Sequence, residues 1–106
     1  MAKEMKVNER PIPPAAIRDP DALEILRIWI AERSLQTSIR IGVYKDSNVV
    51  EEKAWGIILA DTARHVARGL SEEVNVGASE LLSRIVRSFT NEIGDPTSET
   101  EGGFIN

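Results

Sequence analysis

The 106-residue sequence contains no cysteine, which excludes disulfides, thiolate metal ligands and cysteine nucleophiles. Histidine is nearly absent as well: His65 stands alone. One imidazole among scattered carboxylates is too few ligands for a transition-metal site, and Glu51, Glu52 and Asp61 lack calcium-loop spacing, so neither metal nor cofactor is expected. The seven glycines form no phosphate-cradling pattern. No apolar run approaches the roughly 18 residues that a membrane span requires. The opening MAKEMKVNER lacks the apolar core of a secretory signal, and these features together suggest a cytoplasmic protein away from membranes. Positive charge is in deficit too. With 13 basic against 17 acidic residues the net charge is −4, which disfavours nonspecific attachment to nucleic acid.

What is present begins with an arm. Residues 1–20 hold Pro11, Pro13, Pro14 and Pro20, four of the five prolines, and are expected to be flexible, without helix or central strand, because each proline removes a backbone donor. From Leu23 to Ala31 a strand is expected, with Leu26, Ile28 and Ile30 on one side and Ile25, Arg27 and Trp29 on the other. A second follows over residues 35–43, where Leu35, Thr37, Ile39, Ile41 and Val43 alternate with Gln36, Ser38, Arg40 and Gly42. A tight connection at Glu32, Arg33 and Ser34 makes these an antiparallel hairpin. Setting Ile30 opposite Leu35 brings both apolar sets to one face, although the turn lacks the favoured glycine.

Asp46, Ser47 and Asn48 then offer helix caps, and Asn48 with Glu51 resembles a capping box. The stretch from Glu51 to Gly69 carries the strongest helical signal. At 100° per residue, Trp55, Ile58, Leu59, Thr62 and Val66 share one face, Gly56, Ala60, Ala63 and Ala67 form a stripe of small residues, and Lys53, Asp61, Arg64 and Arg68 lie opposite. The bulky face is expected to touch the sheet and the small stripe a second helix, which makes this helix interior. Gly69 is a natural stop. After a loop over residues 70–77, a second helix gathers Ala78, Leu81, Leu82, Ile85, Val86, Phe89 and Ile93 on one side, ending at Gly94, Asp95 and Pro96. Residues 95–106 are expected to be a disordered tail. The reading is therefore one α+β domain over residues 21–94, in the order β-β-α-α, with both helices packed on one face of the hairpin.

Trp29 on the outer face of the first strand, and Ile57 amid the polar residues of the central helix, suggest a homodimer that covers them. The simpler account places Trp29 under the proline arm and leaves Ile57 as a lone exposed residue. Chemistry has one candidate locus. Asp61 and His65 are one helical turn apart, where a carboxylate can orient an imidazole as a general base requires, and Arg64 and Arg68 lie beside them. Such groups are commonly structural ion pairs. The patch Asp61, Arg64, His65 and Arg68, joined by Trp29 and Trp55 where these are exposed, is accordingly a candidate surface for a ligand or protein partner.

Two resemblances bear on function. The stretch Gln36, Thr37, Ser38, Ile39, Arg40 followed by two helices is similar to ribbon-helix-helix repressors, in which strands of two chains pair and alternate polar residues, here Gln36, Ser38 and Arg40, read base edges. The acidic charge, the long central helix and the competing strand at Leu23–Ala31 depart from that pattern. The other rests on Ile28, Trp29 and Ile30, on Ala54, Trp55 and Gly56 with Asp61 in AWGIILAD, and on Ala63, Arg64, His65, Val66 and Ala67. These resemble a small bacterial family, mainly alphaproteobacterial, known only as a domain of unknown function, over roughly residues 22–93. That resemblance implies a compact domain with no assigned activity and no catalytic residue. The expectation is a non-catalytic protein-interaction or regulatory module. DNA binding is the first alternative, and a ligand-binding protein or enzyme using Asp61 and His65 the second.

Overall fold

The computed structural model describes residues 8–105, with the side chain of Ile105 left aside; Met1–Val7 of the expected arm and Asn106 of the expected tail lie outside the described residues. The order is α1 (Pro14–Arg18), β1 (Leu26–Ala31), β2 (Ser34–Arg40), α2 (Glu51–Val74), α3 (Ala78–Gly94) and β3 (Thr100–Ile105).

The hairpin forms as its alternation dictates. β1 and β2 pair antiparallel with Ile30 opposite Leu35, Ile28 opposite Thr37 and Leu26 opposite Ile39, so these six side chains share one face. The turn is the two-residue type: Glu32 and Arg33 both have positive φ, 52° and 66°. Two left-handed residues match the right-handed strand twist, and the chain adopts them here without the usual Asn-Gly. The expected tail instead adds β3, parallel to β2, with Thr37 beside Gly102 and Ile39 beside Phe104. A two-stranded ribbon leaves backbone donors and acceptors bare along β2, and the last residues satisfy them. Gly102 permits this approach: its φ is 131°, and a Cβ there would collide with the Thr37 carbonyl oxygen.

The arm also departs from expectation, because Pro14 opens the short helix α1 at its first position, where a missing N–H costs nothing. α2 begins after Val50 with no side-chain cap, and Ser47 instead accepts the Val49 amide. α2 also runs through Gly69 to Val74, where Asn75, in the left-handed conformation at φ 56°, forms the cap. Helix-forming Leu70, Glu72 and Glu73 outweigh the roughly 1 kcal/mol that a mid-helix glycine costs.

Packing differs most from the sequence reading. Among the described residues α2 and α3 touch each other, β2 touches β1 and β3, and no strand packs against a helix. Only Ala67 and Leu81 are buried among the described residues. These two sit near the α2–α3 turn. Further from it, Gly56 and Ala60 on α2 and Phe89 and Ile93 on α3 are exposed. On the small stripe burial is confined to Ala63, half-buried, and Ala67, buried. α2 is not an interior helix in the single chain: Ile58 is half-buried, while Leu59 and Val66 lie open. The helices therefore do not cover the sheet within one chain, and Ile30, on the apolar face at the hairpin end of the edge strand β1, is 84% exposed. The radius of gyration is 16.6 Å, against about 13 Å for a compact chain of this length.

The reason lies in two ordered connections. Between β2 and α2, the Gly42 amide donates to Glu51, the Lys45 amide to the Gly42 carbonyl and the Ser47 amide to the Tyr44 carbonyl. Between α3 and β3, the Glu92 carboxylate accepts from the Thr97 and Ser98 amides and from the Thr97 hydroxyl. The helix pair is thus tethered to the sheet at both ends by braced turns.

Candidate functional site

The patch read from the sequence sits on the polar side of α2, where all four residues, Asp61, Arg64, His65 and Arg68, are exposed. Asp61 is ion-paired with Arg64 one turn on, and Arg68 Nε lies 3.5 Å from the Arg64 carbonyl oxygen. No hydrogen bond joins Asp61 to His65 among the described residues. The carboxylate that was to orient the imidazole serves a guanidinium instead, whose delocalised charge and fork of donors fit a carboxylate better. Exposed pairs of this kind contribute about 0.2–1 kcal/mol. The arrangement offers charge and hydrogen-bond donors on an open helix face.

Neither tryptophan joins that patch. Trp55 lies on the opposite side of α2, half-buried, with its indole N–H donating to Glu51 Oε2 at 3.2 Å. The same oxygen accepts the Gly42 amide at 3.0 Å. These bonds, the backbone one first, hold the Glu51 carboxyl below the ordinary carboxylate range. Trp29 is half-buried in β1 and lines a cleft of about 240 Å³ between that strand and the extended residues Asn8–Pro13. Arg27 forms the clasp of this cleft, bonding Glu9 at 2.6 Å and Glu24 at 3.0 Å. Its guanidinium is held more firmly charged, chiefly by the Glu24 hydrogen bonds and then by Glu9. Within the single chain Trp29 therefore lies beside the arm, and Ile57 is more than half exposed.

Glu51, Glu92 and the Glu9–Arg27–Glu24 clasp were not singled out as functional by sequence reasoning. Glu51 was explained by the helix start, and its spacing of four from Trp55 was the available signal. Glu92 is likewise held below the usual range, chiefly by the Thr97 amide. Glu51 and Glu92 fasten turns and share no cavity, whereas Glu9 and Glu24 meet at the cleft that Arg27 clasps.

The ribbon geometry required for reading DNA is also not available to β2, because β1 and β3 occupy its two edges. Gln36 is turned to protein partners, donating to Ser34 Oγ at 2.9 Å and to Glu101 Oε2 at 2.8 Å.

Apolar side chains also stand exposed on three elements of the fold. Leu26, Ile28, Ile30, Leu35, Ile39 and Phe104 share one sheet face through the strand register. Leu59, Val66 and Leu70 continue from Trp55 along α2, and Val86, Phe89 and Ile93 extend along α3. No helix among the described residues is long and apolar enough to cross a membrane.

Comparison with known proteins adds a fold neighbour and a family. A solved structure from the photosynthetic bacterium Rhodopseudomonas palustrus CGA009, provisionally assigned as a pyruvate dehydrogenase, is similar at 28% identity and a TM-score of 0.71, over 97% of this chain and 100% of that one. No curated protein matches the chain significantly. A family model matches residues 9–97, spanning the arm clasp, the hairpin and both helices, and the chain belongs to that family, the domain of unknown function DUF5076.

Proposed function

We propose that this chain is a non-catalytic interaction module that works as a homodimer, burying its apolar faces between copies and presenting the polar side of α2 to a further protein partner. One observation carries the reading: the chain exposes 9534 Å², whereas a compact monomer of this mass exposes about 5,900 Å². The arm, the exposed sheet face and the exposed helix stripes all contribute to the excess. Surface of this kind is costly in water at roughly 25 cal/mol per Å², and contiguous apolar patches mark association sites.

The polar groups support binding over catalysis. Asp61, Arg64, His65 and Arg68 stand on an open helix face, and the strongest polar nodes, at Glu51 and Glu92, fasten the backbone. The name of the Rhodopseudomonas neighbour transfers no residue to this chain. Sedimentation equilibrium tests the reading: a mass of two chains at micromolar concentration is expected, and the mass of one chain throughout that range would overturn it.

A further inference from the structure

We infer that two copies of this chain interlock by exchange, the apolar sheet face of each being covered by the bulky stripe of α2 from the other. The inference rests on the dimer reading and adds its geometry. Two unpartnered surfaces on one chain are complementary in kind and size. The sheet face is formed by Leu26, Ile28, Ile30, Leu35, Ile39 and Phe104. The stripe on α2 is Trp55, Leu59, Thr62, Val66 and Leu70, of which Leu59, Val66 and Leu70 are 41%, 48% and 40% exposed. Six residues of β1 extend about 20 Å at 3.3 Å each. The stripe from Trp55 to Leu70 extends about 23 Å at 1.5 Å per residue. Three strands spaced about 4.8 Å apart present a face roughly as wide as one helix of 10 Å diameter.

Within the chain these surfaces do not meet, and the covalent layout opposes their meeting. The β2–α2 connection is braced by Gly42, Glu51, Tyr44 and Ser47, and the α3–β3 connection by Glu92 with Thr97 and Ser98. Folding α2 down onto its own sheet would require both brackets to open. A second copy meets no such constraint. Reciprocal exchange also satisfies two-fold symmetry, since sheet on helix in one direction implies helix on sheet in the other. An obligate interface buries 2,000 Å² or more in total, about 1,000 Å² from each copy, which is under a third of the roughly 3,600 Å² by which the chain's surface, arm included, exceeds that of a compact chain.

The absence of cysteine makes cross-linking specific. Ile28→Cys and Leu59→Cys are made on separate chains, mixed by unfolding and refolding together, and treated with a short bismaleimide. The expected result is a covalent two-chain product joining one variant to the other, at least tenfold above the product from either variant alone. Ile30→Cys with Val66→Cys repeats the test if the first pair disturbs folding or misses the register. A dominant product of Ile28→Cys with itself, or of Leu59→Cys with itself, would overturn exchange in favour of like faces meeting. Should sedimentation of the unmodified chain give a dimer while neither mixed pair links, the exchange fails and the dimer reading survives. A single-chain mass, with a chain that carries both Ile28→Cys and Leu59→Cys linking internally, overturns both.

Discussion

Glu51 Oε2 accepts the Gly42 amide at 3.0 Å, so the first residue of α2 grips the backbone just past the end of β2. The Trp55 indole N–H reaches the same oxygen at 3.2 Å, and α2 thereby leaves the sheet at a fixed angle. A carboxylate that receives two donors is stabilised in its charged form, which explains why its affinity for a proton is lowered.

Acid should open this bracket. The Glu51 carboxyl binds its proton more weakly in the folded chain than its ordinary value of 4.5, so the stabilisation it contributes is present above that value. It is lost as pH falls below 4.5 through the lowered folded value. In a Trp29→Phe background, the emission of Trp55 is expected to shift with acid over that window. Glu51→Gln should abolish the transition. An unchanged acid transition in that variant would show that another group controls the connection.

Gly102 should be intolerant of any side chain. With φ at 131° and the Thr37 backbone against the position of a Cβ, Gly102→Ala incurs both left-handed strain, about 1–3 kcal/mol, and a clash with the partner strand. The expected outcome is release of β3, seen as loss of amide-exchange protection along residues 100–105 while the β1–β2 ladder persists. Gly103, where a Cβ meets nothing within 4 Å, provides the control: Gly103→Ala should retain protection.

The hairpin turn carries avoidable strain. Glu32 and Arg33 occupy left-handed positions that Asn and Gly adopt at less cost. Replacing the pair by Glu32→Asn and Arg33→Gly should raise stability by about 1 kcal/mol, measured by urea unfolding with an unchanged slope. No gain would mean that the Glu32 or Arg33 side chain makes a contact of its own.

The legible and illegible parts of this fold divide by range. The register placing Ile30 opposite Leu35 was readable because period-two alternation leaves one solution that puts the apolar residues together. The stop of α3 at Gly94 was readable from Gly94, Asp95 and Pro96. Ala63 and Ala67 were readable as a close-approach stripe, because small residues signal a neighbouring backbone. β3 was not readable: TEGGFI is short and weakly apolar, and its pairing depends on an open edge some sixty residues away. Asp61 and His65 illustrate the limit of spacing at the candidate site. Proximity on a helix is set by sequence, but the partner of a carboxylate is decided by competition, and Arg64 wins it. The burial of α2 was misjudged for a related reason, since an amphipathic stripe announces that it must be covered without saying by which chain.

The small stripe supplies the last test, because its residues meet different surroundings in the single chain. Ala67 is 1% exposed against α3, so Ala67→Leu forces extra methylenes into the helix contact and should cost about 1–3 kcal/mol. Gly56, one turn into α2 on the same stripe, would place a new Cβ near nothing within 4 Å. For an isolated chain, Gly56→Ala should therefore stabilise by up to about 1 kcal/mol, through helix propensity alone. If a partner's backbone lies against this end of the stripe in an assembled dimer, the same methyl group destabilises instead. Chemical unfolding at two protein concentrations separates the cases. A gain at both concentrations places the N-terminal half of the stripe in solvent, and a loss that grows with concentration places it within the interface.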